Sequence, residues 1–226
     1  MTSADHPTPP QGKTQYVYEW LRERIMSGAM SPGEPIRQNT IAKQLGVSAS
    51  PVREAFRRLE SVGLISHTDN LGAAVSELNE DDLQEVYLLR GVMEGLAAKL
   101  AAEKRTDDDL KRVRSLLERA EVLIHEEYEP GDLAKLSREF HDEISRIGSP
   151  GVIAPRVQQL WFAYPIPQST SLWADREWAK NILAVHRQML EALERGDGEA
   201  AERLGRDHVH ATGRERVERA ERGVDD

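Results

Sequence analysis

Cysteine is absent from all 226 residues. That excludes disulfide scaffolds, thiolate metal sites and thiol nucleophiles. The length is ample for a core that needs no covalent staple. Long apolar runs are missing too: none approaches the roughly 20 residues of a membrane span. A mean hydropathy of -0.58 with 31% charged residues describes a soluble protein. The opening residues Met1 to His6 lack the basic and apolar stretch of a secretory signal, so the cytoplasm is the expected location.

Positive charge is in short supply overall. The net charge is -9 and the isoelectric point about 5.4, which argues against a nucleic-acid partner until the chain is divided. Residues 1–76 carry a net charge of +1 and residues 77–226 carry -10. Within 36–58, Arg37, Lys43, Arg53, Arg57 and Arg58 face a single acid, Glu54. The front of the chain therefore holds a compact basic island.

Residues 1–12, with Pro7, Pro9 and Pro10, read as a disordered tail. From Tyr16 a helix is expected on the spacing of Val17, Leu21 and Ile25, ended by Gly28. Pro32-Gly33 marks a turn. A short helix follows from about Gln38 to Leu45, closed by Gly46. A second runs from about Ser48 to Ser61, with Pro51 tolerated in its first turn. Residues 64–67 and 73–76 read as a hairpin around 69–72. Everything after Asn79 reads as helical. Asn79 and Thr106 are each followed by acids that suit a helix N-terminus. Further helices are expected over 131–147, 152–163, 174–195 and 197–221, with a break around Pro165 to Ser169.

Ala42, Gly46, Val47 and Val52 stand where a helix-turn-helix needs a small residue, a turn glycine and locking apolar groups. The second helix would then offer Ser48, Ala49, Ser50 and Arg53 to a DNA major groove. Hydroxyls and a helix N-terminus suit phosphate oxygens, and an arginine can fork onto guanine. A helical hairpin with solvated charges is the alternative on spacing alone. The segment from Leu21 through Leu45-Gly46-Val47-Ser48, Ser50-Pro51-Val52-Arg53-Glu54-Ala55-Phe56 and Gly72 to Val75 resembles the winged helix-turn-helix of the GntR family of bacterial transcription regulators. The resemblance implies a homodimer on a palindromic operator, with Arg53 on guanine and Gly72 at the minor groove. Many relatives carry Arg where Ala49 stands, and Arg37, Asn39 or Arg57 are candidates to replace that contact.

His141, His186 and His208 each fall on or beside the apolar face of a predicted helix. One such residue is ordinarily a core imidazole bonded to a neighbour. Three would each need a buried partner, and one shared metal satisfies them together. Glu85, Leu89-Arg90, Glu94, Phe140-His141, His186 and His208 resemble the FCD ligand-binding domain of the FadR subfamily, over most of 79–215. The resemblance implies an antiparallel helical bundle whose pocket holds Zn, Ni or Mn on His141, His186 and His208. Ser137 stands where that family usually has an Asp ligand, leaving three histidines with sites open for water or an effector carboxylate.

Arg90 and Glu94 are an i,i+4 pair on a mostly apolar helix. They read either as a structural ion pair or as a fork for an anionic effector, with Ser137 beside it. Trp161, Phe162, Tyr164, Trp173 and Trp178 cluster around the 165–170 break as core, interface or pocket wall. Gly91 and Gly95 allow close helix approach, more often within a chain than between chains.

The fold class expected is mainly α: a winged helix-turn-helix over 13–77 and an all-α antiparallel bundle over 78–222. The function expected is a ligand-responsive repressor, not an enzyme. It would bind double-stranded DNA as a homodimer and respond to a small anionic metabolite, with no membrane partner. Two alternatives fit the sequence less well. A three-His metalloenzyme lacks a general base or a carboxylate paired with the histidines. A helical protein-interaction module leaves the basic bias of 36–58 unexplained.

Overall fold

The spacing of Val17, Leu21 and Ile25 buries one side of the first helix, α1 (Lys13–Met26), against the helix-turn-helix. The structure is a computed structural model that describes residues 12–26, 29–68, 72–76, 80–162 and 172–223. Expectations for the tail, for Gly28, for the hairpin tip at 69–71, for Asn79 and for the 163–171 break fall outside those residues.

The chain divides into two compact units at about residue 77. In the first, β1 (Pro35–Ile36) precedes α2 (Gln38–Leu45), α3 (Ala49–Ser61), β2 (Ile65–Thr68) and β3 (Gly72–Val75). Gly46 closes α2 at φ 63°, a left-handed position that glycine occupies without strain. Val52, Ala55, Phe56 and Leu59 form the buried face of α3. The hairpin expected at 64–76 exists, with Ser66 opposite Ala74. The sheet has a third, unforeseen strand: β1 pairs antiparallel with β3, so β3 lies in the middle. Two residues carry too little alternation to announce a strand.

The second unit is helical: α4 (Glu80–Lys104), α5 (Asp107–Leu123), α6 (Pro130–Gly148), α7 (Ile153–Phe162), α8 (Arg176–Arg195) and α9 (Gly198–Gly223), with a 3-10 turn at Leu172–Ala174. Thr106 caps α5 in a reciprocal box with Asp109. Val113, Leu117 and Ala120 of α5 meet Leu133, Phe140 and Ile144 of α6 in the core. Gly91 and Gly95 face α9 of the same chain. A Cβ on Gly95 would come within 2.7 Å of the Glu202 carbonyl oxygen, and one on Gly91 within 2.2 Å of the His210 ring. This close seam holds α4 beside α9 and turns Arg90 and Glu94 inward, each 3% exposed.

Candidate functional site

The first unit presents a polar helix end. Ser48, Ala49 and Ser50 are exposed at the start of α3, and so are Arg53 and Arg57 one and two turns on. Ser48 sits at the N-cap with no side-chain capping bond, so its hydroxyl is uncommitted to its own helix. Arg57 has Glu54 at 3.7 Å, whereas Arg53 has no ion pair among the described residues. Arg37 and Asn39 are exposed at the start of α2. Gly72 opens β3 at φ 82° and is exposed. These residues share one unit, and their exposed guanidinium, hydroxyl and backbone groups are of the kind that contact phosphate and base edges.

In the second unit, α6, α8 and α9 carry His141, His186 and His208 into one buried cluster. Nε2 of His186 lies 3.1 Å from Nε2 of His141 and 3.1 Å from Nε2 of His208. Phe140 stacks on His186 at 4.6 Å between centroids, which sets that ring's plane. Nδ1 of His141 lies 2.9 Å from Oε2 of Glu94, and Oε1 of Glu94 accepts from Nε of Arg90 at 2.9 Å. Nδ1 of His208 is buried without a hydrogen-bond partner among the described residues.

This geometry corrects one sequence-based expectation. A carboxylate is paired with the histidine set: Glu94, 47 residues before His141, was assigned only to Arg90 or to an effector. The missing signal was tertiary, since α4 and α6 must pack before Glu94 and His141 can meet. The ion pair with Arg90 was legible from their i,i+4 spacing.

Electrostatics follow from burial. Burial alone would raise the Glu94 carboxyl, but Arg90 and His141 outweigh it and bring it to about 2. Burial lowers His186 well below the usual 6.5, reinforced by His208 and His141. Burial, then His141, lowers His208 to about 3. His186 and His208 are therefore neutral at pH 7, the state that ligates metals.

Imidazole nitrogens aimed at one another leave lone pairs facing lone pairs. At most one N–H can lie in each Nε2 contact, and a carboxylate at Nδ1 favours an Nδ1–H tautomer of His141 with a bare Nε2. Donors about 3 Å apart can all sit about 2 Å from a common ion, the distance of zinc–imidazole bonds. The residues present thus fit a divalent cation. No carboxylate of the described residues joins the cluster, and Ser137 is buried one turn before His141.

The wall beside the cluster is aromatic. The Arg90 guanidinium lies 3.5 Å from the Trp161 centroid and 4.7 Å from that of Tyr87. Trp161 is 6.1 Å from His141, and its indole nitrogen is buried without a hydrogen-bond partner among the described residues. Trp161 therefore belongs to the site, while Trp173 and Trp178 pack edge to face at 5.4 Å. The side chain of Phe162, and Tyr164, lie outside the described residues.

Residues 13–75 match the bacterial regulatory proteins of the gntR family, and residues 85–211 match the FCD domain. An uncharacterized HTH-type transcriptional regulator of Bacillus subtilis, YdhC, is 30% identical over 199 residues, 87% of this chain and 86% of that protein. A probable D-xylose utilization operon transcriptional repressor of Paenarthrobacter nicotinovorans is 34% identical over 200 residues, 86% and 84% of the two chains. The solved structure of Escherichia coli McbR/YncC superimposes with a TM-score of 0.74 at 26% identity, covering 89% of this chain and 95% of that one. Among the described residues no helix is long and apolar enough to cross a membrane. With a winged helix-turn-helix in front and a histidine-bearing helical domain behind, the chain belongs to the GntR family of bacterial transcription regulators, in the branch with a C-terminal FCD domain.

Proposed function

We propose that this regulator is a homodimeric repressor whose operator affinity is set by a small carboxylate-type metabolite held at a divalent cation. The observation that carries the reading is the convergence of three buried imidazole nitrogens, 3.1 Å from His186 to each neighbour, with Nδ1 of His141 set against Glu94. His141, His186 and His208 would hold Zn, Ni or Mn. The ion would supply a Lewis-acidic positive charge for an effector carboxylate. Arg90 and the Trp161 N–H would orient the effector beside it, with Ser137 and Glu94 at the margin of the pocket.

Residues 13–77 read the operator and residues 78–222 sense and pair. Arg53 forks onto guanine. Ser48, Ser50, Arg37, Asn39 and Arg57 contact phosphates or neighbouring bases, and Gly72 lets the wing backbone approach the minor groove. Support for pairing comes from α4, whose outer face exposes Leu88, Leu89, Val92 and Leu96, with Val92 57% exposed. A lengthwise apolar stripe of this kind suits a second copy of the same helix. Several relatives are named as repressors, among them the D-xylose protein and RspR of Escherichia coli.

Metal titration of chelator-treated protein tests the reading. One Zn²⁺ per chain is expected, lost in His208→Ala, with operator affinity changing when both metal and a carboxylate effector are present. Zinc binding that His208→Ala leaves intact would overturn it.

A further inference from the structure

Arginines that leave the surface of the helical domain are ordinarily met by a carboxylate. Arg90 is ion-paired to Glu94 at 2.9 Å. Arg219, near the end of α9, pairs with Asp175 at 2.8 Å and with Glu215 at 2.7 Å. Arg216 differs. Nε and Nη1 of its guanidinium are both buried and have no hydrogen-bond partner among the described residues. The acids around this turn do not serve it: Glu215, its neighbour in the chain, and Asp175, across from α9, are held by Arg219.

Packing fixes α9 on both sides of this residue. One turn before it, Gly213 is buried against α4, where a Cβ would come within 2.4 Å of Cβ of Tyr87. One turn after it, Arg219 bonds Oδ2 of Asp175, whose Oδ1 caps the start of α8. A long side chain on a helix leans back over the preceding turn. For Arg216 that turn contains Gly213, which has no side chain to fill the space. His208 lies eight residues earlier, about 12 Å away along the axis at 1.5 Å per residue. Arg216 is therefore remote from the three histidines.

An unmatched guanidinium with two nitrogens out of water destabilises the fold, and an apolar residue of similar volume would be tolerated at least as well. A guanidinium also has the donor geometry that suits carboxylate and phosphate oxygens. We propose that Arg216 anchors a second anion site in the helical domain, which receives the phosphate or carboxylate group of a small metabolite and needs no metal ion. The anion supplies the counter-charge that the described residues do not. The site stands apart from the reading of the histidines, so either can fail without the other.

The test uses the full chain kept metal-free with a chelator, and inorganic phosphate and succinate as separate probes. Calorimetry measures binding and thermal melts measure stability. At least one probe is expected to bind saturably, and the tighter of the two tells a phosphate group from a carboxylate. Arg216→Met should weaken that binding by at least about tenfold, the scale of a lost charged hydrogen bond. Arg216→Lys, which keeps the charge and loses the planar fork, should fall between and serves if the Met variant does not fold. His208→Ala should bind the probe as the parent does. Without ligand, Arg216→Met should melt no lower than the parent, since it removes an unmatched charge. A lower melting temperature would reveal a structural partner and overturn the proposal. So would the absence of saturable binding by either probe, or equal binding in Arg216→Met. Binding lost in His208→Ala would assign the anion to the histidine cluster and overturn the separate site.

Discussion

Glu94 on α4 joins two systems that lie far apart in the chain: one carboxylate oxygen lies 2.9 Å from Nδ1 of His141 and the other 2.9 Å from Nε of Arg90. The carboxylate thus orients a histidine of the cluster while its own position is fixed by a guanidinium packed on Trp161. A carboxylate behind a ligating histidine raises the ligand's basicity and locks its tautomer.

Glu94→Gln should therefore weaken divalent-cation binding by about 10- to 100-fold, the usual cost of losing such a partner. It also leaves the buried Arg90 charge without its counter-ion, so the melting temperature should drop. Metal titration and a thermal melt read the two effects separately. Unchanged metal affinity would show that the Glu94–His141 contact does not tune the site.

Arg53→Ala should abolish specific operator binding and leave the fold intact, because the side chain is exposed and unpaired among the described residues. Losing one guanine fork costs about 1–3 kcal/mol of discrimination. A mobility-shift assay against operator and scrambled DNA measures this. In contrast, Arg57→Ala should weaken both DNAs alike and lower the salt slope by about one, as expected for a phosphate contact.

Acid should destabilise the metal-free protein. His208 is lowered to about 3 and His186 well below 6.5 in the folded state, so their contribution is complete above pH 6.5. Between 6.5 and about 3 the unfolded chain binds more protons, and stability falls with pH by up to about 1.4 kcal/mol per unit for each proton. Glu94, lowered to about 2 from 4.5, adds a further loss below pH 4.5. Urea unfolding at pH 7.5, 6 and 5 should show the trend, with a shallower slope in His208→Gln. A slope identical in that variant would place its origin elsewhere.

Gly95→Ala should destabilise the helical domain by about 1–3 kcal/mol, the usual cost of overpacking. The added methyl meets a backbone carbonyl, that of Glu202, at 2.7 Å, and a main-chain atom cannot step aside as a side chain can. Thermal unfolding checks it. Metal affinity should fall too, since α4 carries Glu94.

Val92→Arg should dissociate the proposed dimer and weaken operator binding, because Val92 is 57% exposed on the apolar stripe of α4 and supports little within the chain. Sedimentation of the variant gives the oligomeric state. A variant that stays dimeric would move the interface away from this helix.

Much of the architecture was legible in the residues. Gly46 at the turn, Pro51 in the first turn of α3 and Thr106 before three acids each solve a local backbone problem, and the structure uses them as read. Strand β1 was not legible, because two residues gain their pairing from β3, some 38 positions away. The helix α4 was read as mostly apolar with no way to tell its faces apart. Glycine-mediated contact with α9 turns Arg90 and Glu94 inward and leaves Leu89 and Val92 outside.

Chain order and residue type alone determined the modules: a basic reader ahead of an acidic helical domain, and histidines spaced to fall on helical faces. Local periodicity and capping need only neighbours within a few residues, so they survive in one dimension. Tertiary structure decided that the three histidines meet, that Glu94 stands behind His141, and that Trp161 covers Arg90. Those contacts depend on how α4, α6, α7, α8 and α9 are rotated and offset against one another. Rotation and offset are set by packing, which no single stretch of sequence contains.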